Sequence, residues 1–128
     1  MEGVTIVEGL ADVRVRDTVL WECARMDSEP LLAALRVLSD AVRCAPRGLT
    51  APVATTCAVV AWMVGDGTRA MIATERARDD DPRYSLAALI EASLRSGLPP
   101  QAWREATAGL TRAECRHGSG TKDQRRAS

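Results

Sequence analysis

The sequence predicts an all-α protein of five or six antiparallel helices, and three observations predict it. Ala is the commonest residue, with 21 copies, while aromatics make up only 3% of the chain and Phe is absent. Strand-length runs in which β-branched or aromatic residues alternate with polar ones are lacking, so a sandwich or barrel has nothing to be built from. Apolar residues instead recur at three- and four-residue spacing, in segments separated by Pro- and Gly-containing turns. At 128 residues with a hydrophobic fraction of 46%, the chain is long enough for one ordinary domain.

The elements follow in order. Val4 to Val7 reads as a strand stub or extended arm, so residues 1–9 are expected to form an N-terminal arm. The helical domain is expected over 10–116. Its first helix runs from about Asp12 to Met26, with Val13, Val19 or Leu20, Cys23 and Ala24 on one face. Ser28 reads as an N-cap ahead of Pro30, opening a helix to Cys44 on a stripe of Leu31, Leu32, Leu35, Leu38, Ala41 and Val42. Arg36, Asp40 and Arg43 take its other side.

Thr50-Ala51-Pro52 opens a third helix by the same logic. From Ala51 to Val64 it is apolar almost all round, so it must be covered on most of its surface and is expected at the centre. Gly65-Asp66-Gly67 supplies a tight turn through positive φ. The fourth helix, from Thr68 to Arg78, has an inner stripe of Ala70, Met71, Thr74 and Ala77. Asp81 is expected to cap a fifth, with Pro82 first inside and Leu86, Leu89, Ile90 and Leu94 along it. A sixth, from Gln101 to Arg116, carries Trp103, Ala106, Leu110 and Ala113. Residues 117–128 contain nothing from which a core is made and are expected to be a disordered tail.

Ala51 to Pro82 reads as one tetratricopeptide-like helical hairpin, with small Ala58, Ala70 and Ala77 at the close-approach positions. Three strings are more specific. They are Ala61-Trp62-Met63-Val64-Gly65-Asp66-Gly67-Thr68-Arg69-Ala70, then Asp81-Pro82-Arg83-Tyr84-Ser85-Leu86-Ala87, then Gly97-Leu98-Pro99-Pro100. Preceded by Val13-Arg14-Val15-Arg16-Asp17, this ordered set resembles the actinobacterial domain-of-unknown-function family 4192, over residues 10–103. The likeness is to the C-terminal half of the family pattern. It implies a fold region and a bacterial source, and no chemistry.

Composition and spacing exclude several function classes. Seventeen basic side chains balance seventeen acidic ones, so there is no whole-chain attraction to nucleic acid or anionic membrane. No basic leader followed by an apolar run is present, and the fourteen-residue run Ala51–Val64 is short of the ~20 residues that span a bilayer. With no CxxC pair, Cys23, Cys44 and Cys57 read as small core hydrophobes, and a reduced, cytoplasmic setting follows. Gly65-Asp66-Gly67 follows a helix and lacks the Lys of a phosphate loop. Asp79, Asp80 and Asp81 are adjacent, and no loop spaces them for a cation. Cys115 and His117 are two zinc ligands where three or four are needed. The single His lies in the tail, away from any nucleophile it would activate.

No cofactor, metal or small-molecule substrate is therefore expected, and the chain is expected not to be an enzyme. A site built between two copies would need polar groups from both. The expected role is a non-catalytic protein–protein interaction or scaffolding module, meeting a protein partner or its own copy, with Trp21 and Trp103 as interface candidates. The alternative is a nucleic-acid-associated regulator that uses Arg69 and Arg76 with Arg125 and Arg126 of the tail.

Overall fold

Seven helices make up most of residues 2–108, which the computed structural model describes, and no strand occurs among them. They are α1 (Glu2–Leu10), α2 (Val13–Cys23), α3 (Ser28–Cys44), α4 (Thr50–Met63), α5 (Gly67–Asp80), α6 (Ser85–Arg95) and α7 (Gln101–Ala108). The tail and the end of the sixth expected helix lie outside the described residues.

The expected N-terminal arm is a helix. Val7 and Leu10, three residues apart, are both buried, and Ile6 packs beside them against the core. β-branched residues favour strands weakly, and burial of one helical face against α3 and α4 overrides that preference.

α4 is the centre, and all fourteen of its residues are buried. A helix buried on every side needs no polar face, which explains its unbroken apolar composition. Its buried hydroxyls are handled locally: Thr56 donates to the carbonyl of Pro52 at 2.9 Å, and Thr74 of α5 donates to that of Ala70 at 2.7 Å. Thr55 is the exception: its Oγ1 is buried without a hydrogen-bond partner among the described residues.

α4 and α5 form an antiparallel hairpin. At one end a Schellman turn closes α4, with Asp66 N–H donating to Ala61 O and Gly65 N–H to Trp62 O. Gly65 has φ +88°, whereas Gly67 stays at negative φ, so only one glycine of the pair supplies the left-handed residue. Asp66 then caps α5 by accepting from Arg69 N–H at 3.0 Å. At the other end, the carboxylate of Asp80 reaches the start of α4. Ala70, Ala73, Thr74 and Ala77 form the inner face of α5. Ala73 takes the place expected of Met71, which is only partly buried.

Several helix starts differ from the pattern. Asp27 precedes α3 and Ser28 is already helical; Leu49 precedes α4, and the Thr50 hydroxyl donates to Pro46 O instead of capping. Asp81 ends α5, and its carboxylate accepts from Arg83 N–H in a turn, so α6 begins three residues after Pro82. Within the elements, Leu32 and Leu89 face outward, because Leu31 and Ile90 already occupy the inner faces. Cys44, at the end of α3, is exposed rather than core.

Two arginines tie α7 to the end of α2. Arg104 donates to Ala24 O, and Arg25 donates to Thr107 O at 2.9 Å. Arg16 of α2 reaches across the fold to donate to Tyr84 Oη at 2.8 Å while paired with Asp17 at 2.7 Å. Burial lowers its pKa, but the hydrogen bonds and charge of Tyr84 and Asp17 outweigh this and hold it above the ordinary Arg value.

Candidate binding grooves

α3 has a groove on each side. The first runs between α3 and α5, above Cys57 of α4, and encloses about 620 Å³. One wall is the α3 stripe Arg36, Ser39, Asp40 and Arg43. The other is the α5 stripe Arg69, Ile72, Ala73 and Arg76. Both stripes have the same helical spacing, with an Arg at each end and two smaller or apolar residues between.

The electrostatics of this groove are uneven. Arg43 is paired with Asp40 and Arg69 with Asp66, both on exposed surface. Arg36 and Arg76 have neither an ion-pair nor a hydrogen-bonding partner among the described residues. Arg76 also borders a smaller polar cleft with Arg47 and Asp79. Cys57 and Ser39 lie 3.7 Å apart, Sγ to Oγ, beneath the groove. Burial raises the Cys57 pKa, against smaller lowering effects of Ser39 and Arg69.

The second groove is apolar. It lies among α1, α2 and α3, and Ile6, Leu10, Val15, Val19, Met26 and Val37 line it. Val15 and Val37 are 42% and 47% exposed, so large aliphatic surface is open to water here. Cys23 lies at its base with its pKa pushed up to about 11, mainly by burial and secondarily by Glu22.

The residues singled out from sequence are dispersed. Trp21 is partly exposed on α2, with the Arg25 guanidinium 3.8 Å from its ring centroid. Trp103 is half-buried against the core, 6.5 Å from Trp62 in a tilted pair, and its indole N–H has no partner among the described residues. Arg69 and Arg76 share one edge of α5 and line the first groove. Arg125 and Arg126 lie outside the described residues. Sequence reasoning put Arg36 and Arg43 on an outer face, and only the placement of α3 beside α5 makes them a wall opposite Arg69 and Arg76. Their seven-residue spacing was the available signal.

Among the described residues, no three His, Cys, Asp or Glu side chains converge as metal ligands. No described helix is long and apolar enough to cross a membrane.

No curated protein and no solved structure matches the chain. A family model does match, over residues 2–101, and takes in α1 as well as the motif strings of the hairpin and α6. The chain belongs to the family described as Domain of unknown function (DUF4192).

Proposed function

We propose that this chain is a non-catalytic helical interaction module that works by protein contact, first of all with a second copy of itself. The observation that carries the reading is the apolar groove among α1, α2 and α3, with Val15 and Val37 open to solvent at its edge. Exposed aliphatic surface of this kind is stabilised by covering it. A two-fold contact pairs a patch with itself, so the groove region brings its own apolar complement. The antiparallel α4–α5 hairpin, packed through small Ala58, Ala70 and Ala77, is read as a tetratricopeptide-like unit within the same proposal. A cytoplasmic, actinobacterial setting belongs to the same proposal and rests on the cysteine pattern and the motif strings.

Sedimentation velocity from micromolar concentration upward tests it. Concentration-dependent association that is lost in Val37→Glu is the expected result. A monomer at every concentration overturns the self-contact reading.

The competing reading, a nucleic-acid-associated regulator, draws on Arg69 and Arg76 sharing one groove. Against it stand the zero net charge and the carboxylates of Asp40 and Asp66 in that groove. A low-salt gel shift decides it, since genuine phosphate binding weakens steeply as salt rises.

A further inference from the structure

We infer that the groove between α3 and α5 is a docking site for an acidic amphipathic helix of a partner protein, with Arg36 and Arg76 as its two carboxylate anchors. The inference rests on the protein-contact reading above and adds a second surface with its own partner chemistry.

The geometry begins with topology. α3 leads directly into the start of α4, and the end of α5 is tied to that same start through Asp80. α3 and α5 therefore run the same way on either side of α4. Arg43 and Arg76 mark one end of the groove, and Arg36 and Arg69 mark the other. At each end one guanidinium is already neutralised, Arg43 by Asp40 and Arg69 by Asp66. The two that remain, Arg36 and Arg76, stand at diagonal corners. Seven helical residues separate the ends of each stripe, a rise of about 10 Å. Carboxylates two turns apart on a docking helix match that separation along the groove axis, each reaching sideways to its own wall.

The middle of the groove asks for something other than charge. Ile72 is 54% exposed between Arg69 and Arg76, and the buried Ala73, Val42 and Cys57 form the apolar floor beneath it. An aliphatic stripe on the incoming helix would cover Ile72, in the helix-in-groove mode of recognition. A phosphate backbone offers Ile72 nothing, whereas a peptide carries apolar side chains between its carboxylates. An acidic peptide with apolar residues between its carboxylates therefore fits better than a nucleic acid.

Fluorescence anisotropy with the full chain tests the inference. The probes are a labelled helical peptide with a Leu stripe and Glu two turns apart, the same peptide with Lys for each Glu, and a short DNA duplex. The acidic peptide should bind, weaken with added salt, and lose roughly tenfold in affinity in the Arg36→Glu/Arg76→Glu double variant. Ile72→Ser should also weaken it, and the Lys peptide should not bind. Circular dichroism checks that the variants are folded; all three positions are exposed. Failure of the acidic peptide to bind, equal binding of the Lys peptide, indifference to the double variant, or tighter binding of the duplex would each overturn the inference. Val37→Glu separates the two readings. It should abolish self-association and leave peptide binding intact. An unsubstituted chain that binds the peptide but stays monomeric overturns only the self-contact reading, and one that self-associates but does not bind the peptide overturns only this inference.

Discussion

The carboxylate of Asp80, the last residue of α5, caps the start of α4 at Ala51. One oxygen accepts from Ala51 N–H at 2.9 Å, and the other accepts from Gly48 N–H at 2.6 Å. Helix starts leave N–H groups without partners, and that of Ala51 is one such group. No side chain at the start of α4 supplies the bond. A residue 29 positions later supplies it instead, and a negative charge at a helix N-terminus is favourable in itself. The same contact locks the open end of the α4–α5 hairpin.

Asp80→Ala should therefore destabilise the fold by about 1–2 kcal/mol, the usual cost of losing an N-cap. Urea unfolding with an unchanged slope checks it. Asp79→Ala, next in sequence and exposed, should change stability by less than about 0.5 kcal/mol.

The two glycines of the hairpin turn should behave oppositely. Gly65→Ala forces a Cβ into φ +88° and should cost at least about 1 kcal/mol, although nothing crowds the site. Gly67→Ala has open space and an ordinary φ, and should be neutral or stabilising by up to about 1 kcal/mol. Thermal melts of the two single variants separate them.

Thr55→Val should raise stability. The Thr55 hydroxyl is buried in α4 without a partner among the described residues, and Val keeps the branched shape while removing the unsatisfied oxygen. A gain of about 1 kcal/mol is expected in denaturant unfolding. A loss would show that the hydroxyl has a partner in solution.

Thiol labelling should be sharply uneven among the three described cysteines. Cys44 is exposed, and Cys23 and Cys57 are buried with raised pKa values. At pH 8 iodoacetamide should modify Cys44 first and reach the other two only on unfolding. The pH dependence has a definite sign. Cys23 is raised from 9.0 to about 11 on folding, so its contribution to stability is full below about pH 9 and lost as pH rises through 11. Cys23→Ser, with no thiol to ionise, should lack that alkaline loss in melts recorded across the range.

Tyr84→Phe should cost about 1 kcal/mol, because it leaves one N–H of the half-buried Arg16 without the acceptor at 2.8 Å. Arg16 and Tyr84 are 68 residues apart, so the loss should appear as reduced cooperativity between α2 and the start of α6 in hydrogen exchange.

What the sequence by itself determined is the helical class, the central position of residues 51–64 and the turn at Gly65. These follow from periodicity, all-round apolarity and glycine conformation, which are properties of neighbours along the chain. It also contained the Arg spacings at 36 and 43 and at 69 and 76. Tertiary structure alone decided that Val7 and Leu10 make a helix, since the burial that outweighs their strand preference comes from α3 and α4. It alone decided that Asp80, not Thr50, caps α4, and that the two Arg pairs face each other across a groove. Capping bonds and charge arrays between distant residues depend on where helices pack, and no local pattern specifies that.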